Sequence, residues 1–495
     1  MFLKVLAALV ISSYAVSFSQ SFFPNTTSSL SAKVGKNACN YVSSKNATRL
    51  NNDESWTIMM YMLDGSDLSV EDQLDEMIFA GTIPNDINII IETNCDYYGD
   101  NDDLYLYRYC LADDGLYIDD VIPRSNMGLE STFGSFLEWG LDFYADKTGI
   151  IFYDHGLAIG GVCKDNYGLL PNQSDCLLAS ETSRIYNTTL ENRGIDKLEF
   201  VGYDACVMQL QDVAEFNSHY FNYMIASEEE EYLSGWSYDY WLPKLYNHED
   251  TITILEEIAD TFVSYGIHTG DSWEQTLSIL DLGEMPYYKT ALETLASSIS
   301  TTVSQNRSTF EGMIQSCWQY GAHAAGSSPE TYELVDCYDL MSAMLEYECF
   351  DSYSNQILSV LNCLDNLVIY VVTTGISGSG SLSHGLTIHY SLDHYSNSYP
   401  LKETHFVNWW TLFHIEHTHN NLDGYNAQHH FLKCDCGHTI NVTHDYEYAV
   451  CVTEQLHAKI CVCGSYYIEY HNLNYIDGHG QTILYCSDCG YTIHL

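Results

Sequence analysis

Between residues 56 and 227 the chain gathers its apolar residues into short unbroken runs. Trp56-Thr57-Ile58-Met59-Met60-Tyr61-Met62 is the first, and Ile87 to Ile91 the second. Gly149-Ile150-Ile151-Phe152-Tyr153, Leu198-Glu199-Phe200-Val201-Gly202-Tyr203 and Tyr223 to Ser227 follow. Apolar runs of this length without alternation suit strands covered on both faces. Between them the apolar spacing is helical. Leu74, Met77 and Ile78 share one side of 68–80, and Phe133, Phe136, Leu137 and Phe143 mark 131–145. Further helices are predicted over 179–192 and 207–217. Leu104 to Tyr109 alternates, as a half-exposed hairpin strand does. Asp64-Gly65-Ser66-Asp67 reads as a turn whose side chains cap the next helix. Strands alternating with helices predict an α/β fold, a mostly parallel sheet between two helix layers. Residues 250–365 read as largely helical, broken near Gly326-Ser327-Ser328-Pro329, and Gly385 to Tyr390 as a late strand returning to the sheet.

The ends differ from this core. Met1-Phe2-Leu3-Lys4 and the apolar Val5 to Val16 read as a secretory signal peptide over 1–19. That stretch is too short to span a bilayer comfortably, and no later one is long enough, so no transmembrane anchor is expected. Residues 20–55, rich in Ser, Asn and Thr, read as a flexible leader or propeptide. The core is assigned to 56–415, a polar linker to 416–428 and a Cys/His-rich tail to 429–495.

Charge narrows the partners. The formal net charge is −49, with only 18 Lys and Arg against 67 Asp and Glu. Nucleic acid binding needs a basic surface, so it is excluded as a function class. Basic peptides and cations remain, as does plain solubility in an extracellular fluid. Seventeen cysteines suit a secreted chain, and the odd count leaves at least one thiol outside intramolecular pairing. Sequons stand at Asn25, Asn46, Asn172, Asn187, Asn306 and Asn441.

Two of the apolar runs end in reactive side chains, in Asp154-His155-Gly156 and Asp204-Ala205-Cys206. In parallel sheets, sites form outside the carboxyl ends of the strands. A free thiol is mostly protonated at neutral pH, and a neighbouring imidazole both activates it and protonates a leaving amine. Either residue by itself reads as structural, a hydrogen-bonded His or a buried inert Cys. The pair, each beside a small residue, reads as thiol catalysis.

The last 67 residues repeat internally. His430, Cys434, Cys436 and His444 recur 27 residues later as His457, Cys461, Cys463 and His471. A third, altered copy uses His479, Cys486, Cys489 and His494. Two Cys and two His complete a structural zinc set, and so small a segment needs a staple. Disulfides in an oxidising compartment are the rival reading. Either way the tail reads as structural or adhesive, with contact to a cell surface or matrix as its candidate role. A non-catalytic surface-binding protein is therefore the second functional reading.

The motif order resembles the clostripain family of cysteine peptidases, within the wider group that holds caspases, legumains and gingipains. The matching residues are Trp56 to Met62, Asp154-His155-Gly156, Gly202-Tyr203-Asp204-Ala205-Cys206, Ala226-Ser227-Glu228-Glu229, Gly235-Trp236, Leu334 to Leu340 and Gly385 to Ile388. His155 and Cys206 lie 51 residues apart (206 against 155), close to the spacing of caspase-type sites. The resemblance implies a caspase-like αβα sandwich and a His155–Cys206 dyad with no third member. It places backbone oxyanion donors at Gly156 and Cys206. It also implies cleavage after Arg or Lys, with Asp204 at the base of the substrate pocket. Capping of the next helix is the alternative role for Asp204. Processing between His and Cys has Lys164, Arg184, Arg193 and Lys197 as basic positions, with Lys164 preferred. Calcium dependence is implied too, without assigned ligands. The acidic clusters at Asp100, Asp102, Asp103 and Glu228 to Glu231 are candidate oxygen sets for it, with solvated surface as the usual reading of such a run. A peptide ligase using the same thioester is a third reading.

Overall fold

A computed structural model describes residues 54–65, 67–99, 104–169, 174–269, 275–321, 333–374, 383–390 and 404–413, with 265–269 as backbone alone, and the backbone of strands between 421 and 494. The chain divides into two compact units, one ending at Phe413 and the other comprising 393–395 and 414–495.

Among the described residues the first unit carries fourteen strands: β1 Trp56–Met62, β2 Ile87–Thr93, β3 Tyr105–Ala112, β4 Gly115–Pro123, β5 Lys147–Tyr153, β6 Val162–Asp165, β7 Asp175–Leu177, β8 Leu198–Asp204, β9 Phe221–Ala226, β10 Thr276–Asp281, β11 Gln319–Tyr320, β12 Leu334–Asp336, β13 Val368–Thr373 and β14 Thr387–His389. Its α-helices are α1 Val70–Phe79, α2 Glu130–Gly140, α3 Ala179–Arg193, α4 Gln211–Ser218, α5 Tyr238–Tyr246, α6 Thr251–Thr269, α7 Met285–Gln305, α8 Arg307–Ser316, α9 Cys337–Met344, α10 Ser354–Leu367 and α11 Val407–Phe413.

Nine strands form one sheet in the order β13-β10-β9-β8-β5-β1-β2-β3-β4. The five from β2 to β9 are parallel, and antiparallel strands extend both edges. Every residue of β1 is buried, as a continuous apolar run requires. Its side chains alternate between two cores. Met59 and Tyr61, with Leu63 just past the strand, join Phe133, Phe136 and Tyr186 on one face. Ile58, Met60 and Met62 join Leu74, Trp241 and Ile258 on the other. This is the mostly parallel, covered α/β sheet that the periodicity predicts, and the αβα sandwich that the resemblance implies.

Three expectations need correction. The segment 385–390 does not return to the main sheet; β14 pairs with β12 in a separate three-stranded sheet. The edge position goes to β13, which pairs with β10, a strand inside the stretch read as helical. β3 is not half-exposed. Its polar member Arg108 is buried against Glu92 at 2.7 Å, so alternation in the sequence does not expose a face here. The break near 326–329 lies outside the described residues, as do the signal peptide and residues 20–53.

Among the described residues the second unit carries three successive three-stranded antiparallel sheets. Strands Asn421–Tyr425, His429–Lys433 and Thr439–Thr443 build the first. Part of the expected linker is therefore a strand. Tyr448–Cys451, Leu456–Ile460 and Tyr466–Tyr470 build the second, so the 27-residue repeat is a repeat of backbone (429 to 456, 439 to 466). His430 and His457 stand within the middle strands, while Cys434, Cys436, His444, Cys461, Cys463 and His471 lie outside the described residues.

Candidate active site

β5 and β8 run side by side and parallel, with Tyr153 opposite Asp204. A parallel pair in this register delivers its next residues to one rim, so His155 and Cys206 share the carboxyl edge of the sheet. The rim also includes the point where strand order reverses, since β1 has β2 on one side and β5 on the other.

The two loops meet at Gly156. A Cβ there would stand 2.0 Å from the Cys206 carbonyl oxygen and 2.9 Å from Met208 Cγ. No side chain fits. Burial pushes the Cys206 thiol up to about 12, with the acids Glu231 and Glu230 adding to the rise. Hydrogen bonds from the Glu231 and Gly156 backbone N–H groups act the other way, the former at 3.3 Å from Sγ. The resting sulfur is thus protonated at neutral pH and needs a base to lose its proton. Gly156→Ala is expected to force these backbones apart, costing about 1–3 kcal/mol of stability. A thermal melt beside peptide hydrolysis should show both a lower Tm and at least a ~10-fold loss of rate.

His155 is half-exposed, and its Nε2 stands 3.3 Å from Oδ2 of Asp67. Asp67 leaves the turn after β1, so three adjacent central strands each send a side chain to the rim. The turn had read as a helix cap, which hid this. Ser69 is the actual N-cap of α1, accepting from the Asp72 N–H, and Asp64 accepts from the Val70 N–H. Asp67 is thereby left to face His155.

The stretch after Cys206 is not yet helix, contrary to the expected 207–217 element. Val207 has φ +52°, a strained value for a β-branched residue. Its N–H donates to the Glu229 carbonyl, Gln209 N–H to Ser227, and Thr387 N–H to Gln209. These bonds to distant segments hold 207–210 out of a helix, and α4 starts only at Gln211.

Asp204 is 4 % exposed and does not cap that helix. Its Oδ2 accepts from the Trp236 N–H at 3.0 Å and the Tyr238 hydroxyl at 2.8 Å. Gly235, at φ +63°, lets the chain pass so closely that a Cβ would touch the Asp204 carboxylate at 3.0 Å. Burial pushes the Asp204 carboxyl up to about 7, against the hydrogen bonds from Trp236, Tyr238 and Glu231. Glu231 is buried beside it and raised well above the usual carboxylate range, by burial first and the Asp204 charge second. Neither Glu231 oxygen reaches a partner at full hydrogen-bond geometry. Two buried carboxyls therefore face each other next to the thiol.

The run Glu228 to Glu231 is thus not the solvated surface its composition predicts; all four are buried. Glu228 accepts from the Gly385 N–H at 2.9 Å, and Glu229 from the Gly321 N–H at 2.8 Å. Asp100, Asp102 and Asp103 lie outside the described residues. Lys164 stands in β6, which pairs with β7; its side chain is exposed and its N–H donates to Asp154 at 2.6 Å. Arg184 and Arg193 on α3 are paired with Glu130 and with Glu138 and Asp142.

The sequence profile of the clostripain family, peptidase family C11, matches residues 60–419. The chain belongs to the clostripain family. It is accordingly a cysteine peptidase, a hydrolase. Two solved structures share the fold. One is a secreted C11 cysteine protease from Bacteroides thetaiotaomicron in complex with an irreversible peptide inhibitor. It is 18% identical with a TM-score of 0.53, over 72% of this chain and 98% of that one. The other, a secreted C11 cysteine protease called iotapain from the same organism, is 16% identical with a TM-score of 0.52, over 73% and 99%. No curated protein matches the chain. The clostripain-family region ends before the repeats of the tail.

Proposed function

We propose that this clostripain-family chain is a secreted endopeptidase that cleaves peptide bonds after Arg or Lys, with Cys206 as nucleophile and His155 as its base. The observation that carries the specificity is the Asp204–Glu231 pair, two buried carboxyls beside the sulfur. Empty, the pair holds protons first because burial disfavours the charged forms, with the Asp204 charge adding to the rise at Glu231. A guanidinium or ammonium arriving between them restores the charge and gains charge-assisted hydrogen bonds.

The chemistry then follows from the rim. His155 takes the thiol proton as Sγ attacks the scissile carbonyl carbon. The Gly156 and Cys206 backbone N–H groups receive the developing oxyanion. His155 returns the proton to the leaving amine, and water, deprotonated by the same imidazole, hydrolyses the thioester. Asp67 acts as a positioning residue that holds the ring through Nε2 and leaves Nδ1 for the thiol. Asp67→Asn is expected to lower kcat by about 10-fold at unchanged KM, far less than the ~10⁴-fold cost at a buried triad aspartate, because Asp67 is exposed. Steady-state kinetics on an Arg-ended reporter across pH checks this split.

Secretion is supported by the signal-like N-terminus and by Cys110, which is disulfide-bonded, as an oxidising compartment permits. Among the described residues no helix is long and apolar enough to cross a membrane. Labelling with an Arg-based electrophilic probe tests nucleophile and pocket together. The expected result is one adduct on Cys206, blocked by prior Arg peptide; an adduct on another cysteine, or none, overturns the reading.

A further inference from the structure

At the opposite rim, one group of side chains has the composition of a metal centre. Glu215 on α4, His219 just after that helix and His405 just before α11 each offer a ligand atom, all within 4.8 Å of one another. Tyr220, next to His219, accepts from the Leu198 N–H at the start of β8. The group therefore lies at the amino ends of the strands, away from Cys206.

Glu215 is 3 % exposed, and its carboxylate is approached from three sides. Lys289 Nζ on α7 is 2.7 Å from Oε1, and His219 Nε2 is 3.5 Å from the same oxygen. His405 Nδ1 bonds Oε2, and its ring packs 4.5 Å from Phe216. One ammonium neutralises one carboxylate. Two further imidazoles on the same group exceed what ion pairing needs, and they are what a transition metal needs.

We propose that Glu215, His219 and His405 form a zinc site. Two imidazoles and a carboxylate are the donor set of zinc, whereas calcium takes oxygens. Zinc bonds of about 2.0–2.2 Å require the three ligands to close in further. Both histidines have the freedom to do so, with side chains 57% and 44% exposed. Oε2 of Glu215 takes the metal, Lys289 stays on Oε1 and orients the carboxylate, and water completes the tetrahedron. The ion ties the C-terminal end of α4 to the start of α11, the last helix of the peptidase unit. It stabilises the fold by binding it and not the unfolded chain.

The test is a zinc titration of the full-length protein in a Cys206→Ala background, which silences the catalytic thiol, beside the same protein carrying His219→Gln and His405→Gln. Any zinc bound by the tail is common to both. The parent should take up one more equivalent than the variant. It should also gain several degrees in Tm at zinc ~100-fold above Kd, a rise from this site that the variant lacks. Equal melts without metal show that the variant is folded. Equal stoichiometry and equal Tm gains overturn the proposal. A variant that melts lower without metal but binds the same zinc marks a plain ion-pair network and overturns it too.

Discussion

Cys206→Ala should lower kcat/KM on Arg- or Lys-ended peptides by roughly 10⁴–10⁶-fold, with the protein folded and substrate binding retained. The thiol is the atom to which the acyl group is transferred, and Cys95, which follows β2 to the same rim, is buried. His155→Ala should cost nearly as much. The Cys206 thiol is pushed up to about 12, so unaided ionisation at neutral pH is negligible. Proton removal must accompany attack. Because the two residues act as one unit, the double variant should be little worse than either single one. Single-turnover hydrolysis of a fluorogenic Arg peptide measures all three. Residual activity of Cys206→Ala within tenfold of wild type would rule out this nucleophile.

Asp204→Asn should lower kcat/KM on an Arg-ended reporter by about 10²–10³-fold, as expected when one member of a buried charge pair is removed. Cys206 should stay alkylatable, which separates a lost pocket from a lost nucleophile. The pH dependence has a definite sign. Burial pushes Asp204 up to about 7, so the pocket loses charge as pH falls through that value. The preference for an Arg reporter over an isosteric neutral one should therefore shrink between pH 8 and pH 6 and be flat in Asp204→Asn.

Stability runs the other way. A folded pKa above the unfolded ~3.9 means that the native state binds the proton more tightly. Native stability from this group is greatest at low pH and declines as pH rises through the window between the two values. Asp204→Asn should then melt above wild type at pH 8, with the gain fading towards pH 4. Glu231→Gln should act in the same direction on both counts, since its own raised pKa has the same cause. A pocket that resists its own charge is a cost in stability that only a basic side chain offsets.

The central sheet was legible because continuous apolar runs have one solution, a strand covered on both faces. β1, β5 and β8 follow from their residues alone, and so do the rim positions of His155 and Cys206. What composition concealed was burial of charge. Glu228 to Glu231 reads as solvent-facing, and only tertiary partners such as the Gly385 and Gly321 amides reveal the opposite. Asp67 was hidden by an equally good local role as a cap, which Ser69 fills. The 207–210 stretch escapes the helix because the Val207 and Gln209 amides find acceptors in residues distant along the chain. Late strands such as β14 carry a strand signal but no mark of which sheet they enter.

The β6–β7 hairpin has a consequence for maturation. A protease binds its substrate as an extended chain, whereas the amide of Lys164 is already committed to Asp154. For any protease, the bond after Lys164 becomes available only in the minor population where the hairpin has peeled open. Nicking there would thus report a local opening equilibrium rather than the vigour of the cutting enzyme, and amide exchange at Lys164 should set its pace.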